Sequence, residues 1–416
     1  DGLFSTVWIN GLNCVTSQVS SINTAGAAGS GAMPIYQAGC VRSAVIDCDL
    51  DNAHGGEHTM RSQGADFNVI VSNRFARPAS AKAYLTVRGW GVSSNTTPKD
   101  CINHAVRGNT FDGTVQTVAT AIYTDLAPQN TGRNEPIKDV VWEANHYPGC
   151  QADQALNICA RDVTVRNNVY RYVQRTISAG SDVTVKIANP NGTMTTLTDN
   201  VRVIGNTAYS SGTDGFSFVT IQSSVVNPYV CNNIAYAPAS TKTGENNGTA
   251  PTFFAPTSTL PGTLVQGSNS TNANVKSLDP LFLGTTTKAD FKLQTGSPYK
   301  NFGADYKTSA DAMGYLKGAT PIDAGALNSV DEQVDAWTIA LSASGMVLYD
   351  REVYSASGTV TVPVTLPTAA GVGGVTVNYA TQDDTATAPA YYTGTSGTLT
   401  FAEGETTKNV TVSIAA

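Results

Sequence analysis

The chain reads as all-β: a parallel β-helix followed by a β-sandwich. Three observations predict this. An asparagine is followed two or three residues later by an aromatic at Asn73/Phe75, Asn109/Phe111, Asn145/Tyr147, Asn168/Tyr170, Asn206/Tyr209 and Asn233/Tyr236. Successive asparagines lie 36, 36, 23, 38 and 27 residues apart, within the period of roughly 20 to 50 residues that marks a solenoid. β-Branched runs lead into them, as at 69–71, 163–165 and 201–204. Over the last 70 or so residues the asparagine repeat gives way to period-two alternation.

Stacking explains the repeat. Asparagine tolerates the left-handed conformation of a tight corner. Its side chain can hydrogen-bond to the same residue in the next coil. The aromatic can stack inside the coil, where it buries a large apolar area. Irregular spacing follows from loops inserted at one corner.

The elements follow in order. Residues 1–40 lack the repeat and form an N-terminal strand or cap segment. Within it, Leu3–Ile9 reads as one strand, apolar on both faces, and 17–32 as a small polar loop. Coils run from about 41 to 240, and 239–275, rich in Thr, Ser, Pro, Asn and Gly, reads as a surface excursion. The helix extends over 41–330, a linker over 331–345 and the sandwich over 346–416. In the sandwich, Thr359–Leu366, Val375–Ala380, Ser396–Phe401 and Lys408–Ile414 alternate as strands.

Composition narrows the function. The 416 residues suggest two or three domains. Charged residues make up 14%, net charge is −7 and no basic cluster appears, which disfavours nucleic acid. No apolar run approaches the roughly 20 residues that span a bilayer. A start at Asp1 fits a processed, secreted protein. The seven cysteines show no CxxC pair. Cys150 and Cys159 bracket a short loop and form the expected disulfide, with a second among Cys14, Cys40 and Cys48. Cys231 reads as a buried thiol. Disulfides and low charge place the chain outside the cell or at its surface.

Three chemical patterns arise. His54-Gly-Gly-Glu-His58 matches H-x-x-E-H, but that motif needs a helix, and two glycines in β surroundings argue against one. Asp47, Asp49 and Asp51 alternate, so on a strand they share one face about 7 Å apart. They are either a calcium site or a solvated acidic edge. Gly212-Thr-Asp214-Gly is similar to one polygalacturonase motif, without the partner carboxylates that hydrolysis requires.

Asp279-Pro-Leu-Phe282, Asp290-Phe-Lys-Leu-Gln, Gly296-Ser-Pro298, Asn301-Phe-Gly303, Asp311-Ala-Met-Gly314 and Asp323-Ala-Gly-Ala326 occur in that order. This ending resembles the last coils of secreted bacterial right-handed β-helix proteins of the pectate-lyase-like or choice-of-anchor type. The resemblance implies a right-handed coil, and it implies little about activity. β-Helix polysaccharide lyases use a Lys or Arg base, an Arg, and calcium or carboxylates along one exposed sheet. The residues of those types here are Lys82, Arg74, Arg77, Arg88, Glu57 and His58.

The stretches Val375–Thr387 and Gly397–Val412 are similar to the Calx-β domain, an extracellular immunoglobulin-like sandwich that often binds calcium. Ala390 stands where that family has an aspartate, so Asp383, Asp384, Asp350 and Glu352 remain as candidate ligands. The family continues past Ala416 with further strands. An incomplete sandwich leaves backbone groups unpaired, at about 1–3 kcal/mol for each buried one. Another strand could fill the slot. Leu3, Phe4, Val7, Trp8 and Ile9 either cap the helix or are donated to the next subunit, making a head-to-tail fibre.

The leading expectation is therefore an extracellular structural protein that self-associates, a fibre subunit. A polysaccharide lyase is the alternative, and a carbohydrate-binding adhesin without catalysis the second. Calcium is the one cofactor suggested.

Overall fold

A computed structural model describes residues 5–9, 14–22, 33–51, 58–79, 82–89, 101–115, 122–126, 137–150, 154–172, 183–189, 198–212, 217–239, 253–254, 260–267, 269, 278–302, 324–327, 358–365, 370–381, 388–390 and 392–414. The chain divides into two units. One holds residues 1–312 with 317–330, and the other 313–316 with 331–416.

The larger unit is a three-sheet parallel β-helix. The first sheet runs in eight strands from Ser5–Ile9 to Ser217–Ile221, the second in nine from Val15–Ser17 to Val265–Gly267, and the third in eight from Ser20–Ile22 to Ile234–Tyr236. Each of the first eight coils contributes one strand to each sheet, and Val265–Gly267 adds a ninth strand to the second. Coil 4, for example, comprises Leu85–Arg88, Cys101–Arg107 and Thr110–Asp112.

The stack starts earlier than residue 41. Ser5–Ile9 pairs in parallel with Met33–Ala38, with Val7 opposite Ile35 and Trp8 opposite Tyr36. Val15–Ser17 and Ser20–Ile22 complete coil 1. Coils 1 and 2 lack the asparagine–aromatic pair, which is why the repeat is silent there. Leu3 and Phe4 lie outside the described residues.

The corner between the second and third sheets takes two residues in every coil: 18–19, 47–48, 72–73, 108–109, 144–145, 167–168, 205–206 and 232–233. The first of the two is left-handed throughout, with φ between 51° and 64° at Gln18, Asp47, Ser72, Gly108, Ala144, Asn167, Gly205 and Asn232. The ladder asparagine is the second. The left-handed burden therefore falls one residue before the position that its chemistry suggested.

At that second position the ladder is continuous. Oδ1 of Asn109 accepts from both N–H and Nδ2 of Asn73, each at 3.0 Å. The same double contact links Asn109 to Asn145, Asn145 to Asn168, Asn168 to Asn206 and Asn206 to Asn233. Asn269 is a seventh member, accepting from Asn233 at 3.1 and 3.0 Å. Each Nδ2 also donates to a carbonyl one coil back, as Asn145 does to Val106 at 3.0 Å. Cys48 occupies the ladder position in coil 2. Its N–H donates to Asn73 Oδ1 at 2.9 Å, and its Sγ lies 3.8 Å from the Thr16 carbonyl.

Strand alternation then sorts the aromatics. Those two residues after the asparagine point inward. Phe75, Phe111, Tyr147 and Tyr170 stack with centroids 5.1, 4.8 and 4.5 Å apart. Trp142 lies beside Phe111 and donates to the Tyr147 hydroxyl at 2.9 Å. Tyr209 and Tyr236 are three residues after theirs, so they point outward. There a returning segment covers them: Tyr209 packs against Phe282 and Phe291. Ala326 N–H donates to Thr207 Oγ1 at 2.9 Å. Gly325, at φ +90°, passes so close that an added Cβ would sit 2.8 Å from Thr207 Oγ1.

In the smaller unit, Gly358–Thr365 pairs with Thr407–Ile414 and Val375–Ala380 with Ser396–Phe401, both antiparallel. Val364, Ala370, Phe401 and Val410 form its core, with Val375, Val377, Tyr379, Leu399 and Val412 half-buried against it.

Among the described residues, none of the seven cysteines forms a disulfide, so the Cys150–Cys159 pairing is corrected. Cys150 ends a strand of the third sheet and is fully buried. Cys159 follows a strand of the first sheet, and burial pushes its thiol up to about 12. Adjacency in sequence did not bring the two onto one sheet. Among the described residues, no helix is long and apolar enough to cross a membrane.

Candidate functional site

The other two corners carry the long connections. Those leaving the first sheet include 89–100, 127–136 and 188–198, and those entering it include 52–59, 113–121 and 173–182. Insertions in a solenoid gather around its binding face, and the first sheet is the one whose strands these connections join at both ends. One column on the outer side of that sheet runs Tyr36, Arg61, Thr86, Asp125, Asn157, Lys186 and Thr220 in register, with Tyr36, Thr86 and Asn157 buried.

Neighbouring groups tie this column together. Tyr36 donates to Gln63 Oε1 at 3.0 Å, and the Arg61 guanidinium lies 5.9 Å from the Tyr36 ring centroid. Asp125 accepts from Asn157 Nδ2 at 2.8 Å, and its other oxygen lies 3.9 Å from Arg88 Nη2. Burial pushes the Asp125 carboxyl up, against the Asn157 hydrogen bond and the charges of Arg88 and Lys186. His58 Nδ1 accepts from the Ala83 N–H at 2.9 Å, and Nε2 lies 3.1 Å from Arg88 Nη2. Burial, then the charges of Arg88, Arg61 and Lys82, hold His58 neutral, with its pKa down to about 2.

The residues of lyase type are therefore split. Arg88, His58 and Lys82 belong to the first sheet and its edge. Arg74 lies on the third sheet and Arg77 directly follows the same strand. Their carboxylates are already engaged: Arg74 pairs with Asp49 at 2.8 Å and Asp112 at 2.9 Å, and Arg77 with Asp51 at 2.7 Å. Burial works to raise Asp51, but Arg77 and Arg74 outweigh it and hold the carboxyl low. That pairing also corrects the proposed calcium set. Asp49 and Asp51 face guanidinium groups, and Asp47 is exposed at the left-handed corner. No acidic, His or Cys cluster suited to a metal occurs among the described residues. Glu57, His54, Asp214, Asp350, Glu352, Asp383 and Asp384 lie outside them.

His58 is neutral and buried, the Cys159 thiol is raised, and Asp125 is held by Asn157. Sequence reading missed Arg61, Asp125, Asn157 and Lys186, because each comes from a different coil. The available signal was their common place in successive strands: Met60–Gln63, Leu85–Arg88, Ile122–Leu126, Gln154–Ile158 and Val183–Ile187.

Comparison with known proteins adds the following. Residues 345–416, within the smaller unit, match the Calx-beta domain family. No curated protein matches the chain's sequence. Among solved structures, a double mutant of the tailspike protein of E. coli bacteriophage HK620 aligns at 10% identity and a TM-score of 0.30, over 94% of this chain and 70% of that one.

Proposed function

We propose that this is an extracellular or cell-surface adhesion protein in which the β-helix is a rigid rod that binds an acidic polysaccharide along its first sheet. One observation carries the reading. In a chain of net charge −7, that face and its edge bring together Arg61, Lys82, Arg88 and Lys186 against the single described carboxylate Asp125. Such a concentration of one sign attracts a polyanion. Polysaccharide is bound and not cleaved, in keeping with a buried neutral His58 and with Arg74 and Arg77 committed elsewhere.

Affinity electrophoresis in gels containing acidic polysaccharide tests this. The wild type should be retarded, less so at high salt, and should generate no unsaturated uronate absorbance. Unretarded migration in every acidic gel would remove the binding reading. Absorbance that rises with time would replace it with a lyase. The narrower fibre reading, with Leu3–Ile9 donated to a neighbour's sandwich, gains no support from a strand already paired in coil 1.

A further inference from the structure

Inside the helix, the first coils differ from the later ones. Strand alternation turns Gln37 and Ser62 of the first sheet and Asn68 of the second into the interior, and the register sets Ser43 beside Asn68. All four are buried, with exposures of 2% or less. Later coils fill the same two columns with hydrocarbon. Val87, Leu126 and Ile158 follow Ser62 in the first sheet. In the second, Asn68 gives way to His104 and then to Val140 and Val163. The buried polar set is thus confined to coils 2 and 3, with His104 closing it in coil 4.

The carboxamide of Asn68 engages three neighbours. Its Oδ1 accepts from the Ser43 N–H at 3.1 Å, and its Nδ2 donates to Gln37 Oε1 and to Ser62 Oγ, both at 3.3 Å. Both N–H bonds of the Asn68 amide are thereby used. Gln37 Nε2 and Ser43 Oγ are buried and have no hydrogen-bond partner among the described residues. Turning the Gln37 amide over would not help, since it would set one NH2 against another. A buried amide or hydroxyl left in this way is costly. Both residues contact the same carboxamide, so one small molecule can serve both. It must accept from an amide, exchange a bond with a hydroxyl and fit within a packed core. Water does all three: its lone pairs take the Gln37 N–H and the Ser43 O–H, and it donates to the second lone pair of Asn68 Oδ1. We propose that the interior of coils 2 and 3 is a hydration site, in which one ordered water held by Gln37, Ser43 and Asn68 links the first sheet to the second.

Crystallography of the intact chain tests this directly. The expected result is a solvent peak within about 3.2 Å of both Gln37 Nε2 and Ser43 Oγ. Ser43→Ala supplies an independent reading, because the two cases differ in sign. With a water held there, the variant takes away one of its partners. Urea denaturation should then show the folding equilibrium constant lowered about fivefold, the scale of one net hydrogen bond. With no water, the variant removes an unpartnered buried hydroxyl, and the constant should be unchanged or higher. No solvent density at the site, or an S43A protein at least as stable as the wild type, overturns the proposal. The wild-type density alone decides should S43A fail to fold.

Discussion

Single side chains decide the stability of this helix because so many buried polar groups sit in chains of dependence. Asn145 has four such bonds: Oδ1 accepts twice from Asn109, and Nδ2 donates to Asn168 Oδ1 and to the Val106 carbonyl. N145A strands groups on both sides, at about 1–3 kcal/mol for each one left buried and unpaired. Chemical denaturation should register a loss of several kcal/mol. N145D should be at least as damaging, since a carboxylate oxygen would face the Val106 carbonyl. Protonation behaves similarly. His58 has a pKa of about 2 and His146, desolvated and near Lys288 and Arg171, about 4. Unfolded histidine takes up a proton near pH 6.5. Below that pH the unfolded chain binds protons that the folded chain refuses, so stability must fall as pH drops from about 6.5 toward 4. H58Q should flatten that limb in pH-dependent melts. A limb of unchanged slope would mean that His58 is not held neutral.

At the scale of one coil, most of the architecture was legible and the exceptions have physical causes. The asparagines could be found because a two-residue corner must be met by a residue able to bond up and down the stack. Asn269 escaped notice because Ser270 and Thr271 follow it in place of an aromatic, although it lies 36 residues after Asn233. Cys48 could not be read at all, since only its position makes a thiol stand in for an amide. The aromatics looked equivalent in sequence, yet a spacing of two or three reverses the face. Tyr170→Ala should therefore cost about 3–5 kcal/mol, as for a large ring removed from a core. Tyr209→Ala should leave the stack intact and loosen the cover formed by 282–293 and 324–327. Hydrogen exchange separates the two: Y209A should accelerate exchange in the covering segment, and Y170A across the coils. Equal acceleration everywhere in Y209A would mean that cover and helix unfold as one.

Across the whole molecule, function was less legible than fold because a solenoid scatters a site over distant coils. Arg74, Arg77, Lys82 and Arg88 are close in sequence, yet a coil turns Arg74 and Arg88 onto different sheets. Arg61 and Lys186 are 125 residues apart (186 − 61), yet they share one column four rungs apart. The same logic reverses an expectation about the N-terminus. As a strand held ready for a neighbour, residues 1–10 could be deleted to leave well-behaved monomers. Instead Ser5–Ile9 covers the edge of Met33–Ala38, and an uncovered edge strand invites pairing with other chains. Deletion of residues 1–10 should lower the melting temperature and increase association on size-exclusion chromatography. Stable monomers from the truncated chain, alongside fibres from the intact one, would instead restore strand donation.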